Sequence, residues 1–502
     1  MSLRRYAIVG AGARAQLFAR ALATTHADKG RLVAFADVNP ARIEAHNRWL
    51  AALGAPPASS WHAADVSQML AAEKVDTLIV TSVDRTHDEY IVAGLEAGCR
   101  VITEKPMAVD VPRCRRILDA VARTGRHVTV AFNYRYNPVH ETVRRLLADG
   151  VVGEVGSVHF EWLLDVRHGA DYFRRWHRDK ANSGGLLVHK ATHHFDLVNW
   201  WLSTLPEQVY ASGRLFFYGE NGARHGYDRG YDRAHGAPEA AGDPFALHLA
   251  DNPALRELYL EAEHADGYHR DRNVFAPGVT IEDDLAVLVT YRSGATMTYH
   301  LTAYAPWEGY RFMVNGSRGR LELEVVENDH VSPEAAGRLK GGGPRRPDPT
   351  TAAGPQAGAR AGADGTAAGD RATGARTDAD AAAGDRTPAS AQLHGDAAAA
   401  ESGWYTLTVR PFWRQPYRVE VPGYTREGHG GADQRMLDVL FGPDGDDGTP
   451  DELGRAATER DGAASLLVGL AGNASLANGA PVRCADLLEL DLTPKEPSAS
   501  AP

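Results

Sequence analysis

Cysteine is nearly missing. Three residues, Cys99, Cys114 and Cys484, are scattered over 502 positions with no metal-ligand spacing. This sets aside a disulfide scaffold or a cysteine-built metal centre and predicts buried thiols in a reducing, cytoplasmic compartment. Long hydrophobic runs are missing too: no stretch of about 18 unbroken apolar residues occurs, so no membrane span is expected. Two early arginines precede only a short apolar run, which ends at Gly10 and is too brief for a signal-peptide core. A basic surplus is also lacking. Lys and Arg number 54 against 65 Asp and Glu, for a net charge of −11, so nothing here has the electrostatic footprint of a nucleic-acid binder. From about Pro333 to Ser402 large apolar residues all but vanish. That stretch of Ala, Gly, Asp, Arg, Thr and Pro cannot bury enough surface to order itself and reads as a disordered insertion.

What remains is ordinary globular sequence, 43% hydrophobic, and more than one domain's worth of chain. RYAIVG, RLVAFAD, TLIVTS, RVITEKP and HVTVAFN read as strands, separated by amphipathic segments such as RAQLFARALATTH and DEYIVAGLEAG. This alternation predicts an α/β, doubly wound parallel sheet over residues 1–130. Beyond it the pattern shifts to period-2 strands with hairpin signals at YRSGAT and NGSRG, predicting a C-terminal α+β domain on a largely antiparallel open sheet. That domain is expected to span 131–332 and 403–495, interrupted by the insertion at 333–402 and followed by a flexible tail at 496–502. DGAASLLVGLAGNASLANG reads as a late helix packing back on the fold.

AIVGAGARAQLFARAL sets Gly10, Gly12 and Ala15 in a G-x-G-x-x-A pattern between a strand and a helix. Gly10 permits the tight turn, Gly12 lets backbone approach a pyrophosphate, and Ala15 keeps the helix close to the strand. Ala11, Ala13 and Arg14 complete the turn. Asp37 ends the second strand, where a carboxylate accepts from a ribose hydroxyl and argues for NAD over NADP. Arg42 lies near enough to leave NADP open. VITEKPMA ends the fourth strand read in the sequence. Glu104 and Lys105 therefore emerge at the carboxyl edge of the sheet, where ligands of open parallel sheets sit, and a lysine there suits polarising a substrate hydroxyl.

The order of GAGARA at Gly10, ADVNPAR around Asp37, TSVDRTHDEYIVAGLEAGCRVITEKPMA from Thr81, AFNYRYNP from Ala131, and GGLLVHKATHHFDLVNWWL from Gly184 resembles the Gfo/Idh/MocA oxidoreductases. This is the family of glucose–fructose oxidoreductase and inositol dehydrogenase. The C-terminal LLVGLAGNASLANGAPVRCADLL is similar to that family's closing helix and tail. The resemblance covers nearly the whole chain apart from the insertion. It implies that Lys105 contacts both nicotinamide and substrate. Thr81, Ser82, His87, Glu104 and Asn133 are expected on the cofactor side, and Arg135 on the substrate side. Oligomers formed through the open face of the second sheet, a homodimer or homotetramer, are also implied.

GGLLVHKATHHFD places three histidines and a lysine in six residues of an apolar, helix-like run. On one helix His189, His193, Asp196 and Trp200 would share a stripe, with Lys190 and His194 beside it. The family's helix carries an Asp, a His four residues on and an Asp three further. His193 matches that His and is expected to take the substrate proton, and Asp196 matches the later Asp. His189 stands where the first Asp would be, so a His–His pair would replace the usual relay. Zinc at the i, i+4 histidines is disfavoured by Lys190 between them, so no metal is expected. Trp176 and Arg178 in YFRRWHRDKANSGG, together with His189, Lys190 and His194, suit a carbohydrate, and the cationic surplus suits an acidic sugar. Glu263, His264, Asp266, Trp307 and Glu308 are expected to shape the same pocket.

The expected function is NAD(P)-dependent hydride transfer from a secondary alcohol of a sugar, glycoside or cyclitol. Lys105 would orient the substrate, His193 would act as general acid/base, and His189 would orient or relay. One alternative keeps the site but restores the hydride after elimination, giving redox-neutral glycoside hydrolysis. The other is a non-catalytic NAD-binding regulator.

Overall fold

The computed structural model describes residues 3–332, 403–422, 428–442 and 451–490, and the backbone of two short strands at 395–396 and 399–400. The expected insertion at 333–402 lies almost wholly outside the described residues, as does the 496–502 tail.

The apolar runs of the first 130 residues form a parallel sheet of β1 (Arg4–Val9), β2 (Gly30–Asp37), β3 (Ser59–His62), β4 (Thr77–Val80), β5 (Arg100–Thr103) and β6 (Val128–Val130). Their order is β6-β5-β4-β1-β2-β3, and the two-residue strand Ala457–Thr458 lies antiparallel on β6. Ala7, Ile8, Val9, Leu78, Ile79 and Val80 are all fully buried, as strands covered on both faces require. β3, SSWH, is short, polar and half-exposed, so no apolar run announces it. The strand of the Glu-Lys-Pro element, expected as the fourth, is thus the fifth. The strand order reverses between β1 and β4, which opens a ligand crevice at their carboxyl ends.

The second sheet holds β7 (Val155–Asp165), β8 (Pro206–Arg214), β9 (Asp284–Tyr291), β10 (Thr296–Ala305), β11 (Glu308–Gly316) and β12 (Gly319–Asn328). Trp404–Pro411 and Tyr417–Arg418 extend it beyond β12, and Val482–Arg483 extends it beyond β8. Every pairing is antiparallel except β7 with β10. Alternate residues of β10 are buried, so one face packs and the other stays open. The buried face carries the helices Thr192–Leu202 and Glu459–Asn478. The second helix starts at a capping box, with Thr458 and Asp461 satisfying each other's backbone N–H groups. It must pass very close to the histidine-bearing segment: a Cβ at Gly469 would stand 2.5 Å from the Leu187 carbonyl oxygen.

Residues 215–283, between β8 and β9, carry no strong periodicity. They form short helical turns, and part of them reaches back onto the dinucleotide domain. Trp49 Nε1 donates to Glu257 at 3.0 Å and Asn39 Nδ2 donates to the Ala262 carbonyl at 2.8 Å. Trp49 also shares an apolar cluster with Leu247, Leu255, Leu258 and Tyr259. All three cysteines are buried and free. No helix among the described residues is long and apolar enough to cross a membrane.

Candidate active site

A cleft of about 530 Å³ runs from the carboxyl ends of β1, β2, β4 and β5 to the histidine-rich helices of the second domain. At one end is the glycine turn. Gly10 has φ +92°, and a Cβ there would stand 2.5 Å from the Ser82 backbone, so only glycine lets the turn lie against the strand beside it. Asp37 ends β2 and fixes this turn. Its carboxylate accepts from Ala11 N at 2.6 Å and Asn39 N at 2.8 Å. Burial raises its pKa, while Arg42, 3.7 Å away, works in the opposite direction. Arg42 is itself engaged, 2.7 Å from Asp266 and 3.2 Å from the Leu258 carbonyl, so its guanidinium is not simply waiting for a 2′-phosphate. Ala13 N donates to Tyr259 Oη at 3.0 Å, which brings the returning segment directly onto the turn.

The Glu-Lys-Pro element is tied to that turn. Arg14 Nε donates to Glu104 at 2.5 Å, and Arg14 also lies 3.8 Å from Asp433. Asn133 Nδ2 donates to the same Asp433 at 2.8 Å. His87 bridges the carbonyls of Ser82 and Pro106 at 3.1 and 2.8 Å, and Thr81 Oγ1 donates to the Gly10 carbonyl at 2.6 Å. Lys105 is thereby presented at the centre of the cleft. Burial lowers its pKa, with Asp84 and Glu104 opposing.

The expected single helix is broken. Leu186–His189 and Thr192–Leu202 are separate helices, joined at Lys190 and Ala191. His193 N bonds to the Lys190 carbonyl, so the His189 carbonyl does not enter the usual i to i+4 ladder. It accepts instead from Lys105 Nζ at 3.3 Å. Asp196 leaves the expected stripe. His189 and His193 both line the cleft, but Asp196 is buried and receives Arg135 Nε and Nη2 at 2.8 and 2.6 Å. His189 Nδ1 lies 2.5 Å from Asp84 Oδ2, so the carboxylate missing from the helix comes from the turn after β4. Burial, then the charges of Lys105, Arg175 and Lys190, hold His189 well below its ordinary pKa. Burial likewise raises Asp84, against Lys105 and Arg175. His193 stacks on Tyr134 with ring centroids 4.3 Å apart, and Lys190 Nζ reaches Tyr134 Oη at 3.2 Å.

The far wall comes from the second domain. His168 stands between buried Glu308 at 2.8 Å and Tyr172 Oη at 3.2 Å. Trp176 stacks on His177 at 3.5 Å, and Arg175, Asp171 and Arg270 complete this wall.

Lys105, His189, His193, Lys190 and Trp176 therefore share the cleft with Gly10, Gly12, Ala13, Arg14, Asp37, Thr81, Ser82, His87, Glu104 and Asn133. Ala11 and Ala15 are buried beneath the turn. Three expected substrate contacts are corrected. Arg135 is locked to Asp196 and Asp461, the latter at 3.0 Å. Arg178 donates to the carbonyls of Asn273, Ala276 and Pro277. His194 is fully buried, bonded to Tyr299 at 2.7 Å and stacked on Trp162. Each is a polar group held by partners in the core. Of the pocket residues expected later in the chain, Asp266 lines the cleft and Glu308 lies behind His168. Glu263 pairs with Arg233, His264 bonds the Glu261 carbonyl, and Trp307 packs against Arg311. Asp84, His168, Asp171, Tyr172, Arg175, Tyr259 and Arg270 were not assigned from the sequence. Of these, Asp84 lies within TSVDRTHDEY, and Tyr172 and Arg175 lie within YFRRWHRDKANSGG, both segments that pointed to the site. No group of three potential metal ligands occurs among the described residues.

Two family profiles match. Residues 4–132 match an oxidoreductase family's NAD-binding Rossmann fold, and residues 144–340 match its C-terminal alpha/beta domain, by description the GFO_IDH_MocA pair. The chain is 39% identical over 301 residues to the oxidoreductase named YteT of Bacillus subtilis (strain 168), covering 57% of this chain and 68% of that one. It is 29% identical over 224 residues to inositol 2-dehydrogenase of Rhizobium meliloti (strain 1021), covering 45% and 62%. In fold it matches the WlbA dehydrogenase of Bordetella pertussis, solved with NADH and UDP-GlcNAcA. The TM-score is 0.55 at 17% identity, over 98% of this chain and all of the other.

Proposed function

The chain belongs to the Gfo/Idh/MocA oxidoreductase family, and on that premise we propose that it is an NAD-dependent dehydrogenase of a secondary alcohol on a carbohydrate or polyol. One observation carries the reading: the dinucleotide turn, Lys105 and two imidazoles line one continuous cleft. When bound, NAD supplies the hydride acceptor. Gly10–Arg14 would hold its pyrophosphate and Asp37 its ribose. The engagement of Arg42 by Asp266 supports NAD over NADP. Lys105, anchored on the His189 carbonyl, orients and polarises the hydroxyl. His193 takes the hydroxyl proton, while Asp84 fixes the neighbouring His189, whose imidazole burial and the charges of Lys105, Arg175 and Lys190 keep neutral. The similarity to inositol 2-dehydrogenase supports a polyhydroxylated substrate. The open face of the second sheet, where Tyr210 and Leu288 are exposed, supports pairing of two copies.

Incubation with NAD and a panel of cyclitols, sugars and uronates tests this: reduced nicotinamide should accumulate with at least one of them. Cofactor binding with no reduction across the panel would contradict it. A second reading, redox-neutral glycoside hydrolysis, is favoured by one feature. Glu308, His168 and Tyr172 form a second proton-handling array facing the same cleft, which a single oxidation step does not need. Release of an aglycone without net reduced cofactor would select that reading.

A further inference from the structure

One wall of the cleft carries more positive charge than its own carboxylate balances. Asp171 receives Arg270 Nη2 at 2.7 Å and stands 3.3 Å from Arg175 Nη1. Burial would raise the Asp171 pKa, but the charges of Arg270, Arg175 and Arg174 overcome it and hold the carboxyl well below the usual range. One carboxylate thus faces three guanidinium groups. Arg270 is 3% exposed and lines the cleft, yet its Nη1 is buried with no hydrogen-bond partner. A buried guanidinium N–H without an acceptor is costly, and so is surplus charge away from water. Sites of this kind are completed by an oxyanion, which the planar guanidinium fork matches.

The position of the pair narrows what the anion belongs to. Arg270 lies over the ring of Tyr259, 5.8 Å from its centroid, and Tyr259 Oη takes the N–H of Ala13 in the glycine turn. Arg175 donates to His177, whose ring lies 4.1 Å from that of His189. The arginines therefore span the region between the dinucleotide turn and the reacting centre.

We propose that Arg175 and Arg270, held in place by Asp171, form an oxyanion seat in this cleft, for a carboxylate of the substrate or for the pyrophosphate of the dinucleotide. The proposal rests on the dehydrogenase reading only in placing both ligands in one cleft. Its test measures binding rather than turnover, so the two fail separately.

Calorimetric titration of the full-length protein, and of its Arg270→Met and Arg175→Met forms, uses NAD, then glucuronate and glucose in the presence of NAD. Thermal unfolding checks that each variant is folded. If one variant does not fold, the other carries the test. Losing a charge-assisted bond should weaken an oxyanion ligand by about tenfold or more. Loss confined to glucuronate assigns the seat to a substrate carboxylate, and loss confined to NAD assigns it to the pyrophosphate. Arg270→Lys, which keeps the charge but not the fork, should recover part of the loss. NAD and glucuronate affinities unchanged in both variants would overturn the proposal. So would glucose weakening in step with glucuronate.

Discussion

The two walls of the cleft are built differently. The dinucleotide wall is assembled from strand ends: Gly10–Arg14 after β1, Asp37 at the end of β2, Thr81–Asp84 after β4, and Glu104–Lys105 after β5. Each residue's place follows from the strand that carries it and from the sheet order. The substrate wall joins Asp171 and Arg175, the broken histidine helix, and Tyr259 to Arg270 from an irregular segment some 80 residues further on. There, position follows from tertiary contacts alone. Chemistry set by a sheet edge is local, whereas substrate recognition is a property of the assembled fold. The largest effect should come where the walls meet. Lys105→Met should lower hydride transfer by about 10²–10⁴-fold with NAD affinity changed little, read by single-turnover formation of reduced nicotinamide beside calorimetry. A matching loss of NAD affinity would place Lys105 wholly in the first wall.

This division also explains how much could be read beforehand. Gly10, Asp37, Glu104 and Lys105 announce themselves because strand, turn and helix succeed one another in a few residues. β3 escaped because SSWH has no apolar run. Helical periodicity assumes one unbroken helix, whereas His189 and His193 lie on two helices that both line the cleft, and Asp196 turns to Arg135 in the core. Asp84 lies within a motif, but its pairing with His189, 105 residues away, is not a sequence pattern. Arg135, Arg178 and His194 look like ligands by residue type. Buried partners occupy them, and sequence does not show burial.

Arg135 sharpens the contrast. Removing it as Arg135→Leu leaves Asp196 charged and buried, and should cost about 3–5 kcal/mol of stability, read by denaturant unfolding. A raised KM at unchanged stability would return Arg135 to the substrate wall. A smaller effect comes from two histidines buried outside the reacting centre. His46 Nε2 donates to the Ala11 carbonyl at 3.2 Å, and His140 bridges the Tyr134 carbonyl and Tyr310 Oη. Burial lowers both to about 4 from 6.5. Each folded-state pKa lies below the unfolded one, so their neutral forms fit the fold fully above pH 6.5. As pH falls from 6.5 towards 4 the unfolded chain takes up protons first, and stability is lost. Thermal unfolding over that range should show this loss, and His46→Gln should lessen it. The smallest effect is at the seam of the walls. Asp266→Ala should free Arg42 and narrow the preference for NAD over NADP by about tenfold, read from the two dissociation constants. An unchanged ratio would mean that Arg42 plays no part in the choice.

The central claim is that the substrate proton leaves through His193 while Asp84 and His189 position the site. Single-turnover formation of reduced nicotinamide, followed side by side in the wild type, His193→Asn and His189→Asn, tests it most directly. The predicted result is a fall of about 10²–10⁴-fold for His193→Asn, a smaller one for His189→Asn, and little change in NAD affinity for either. Turnover intact in His193→Asn and abolished in His189→Asn would contradict the account and make the Asp84–His189 pair the acid/base.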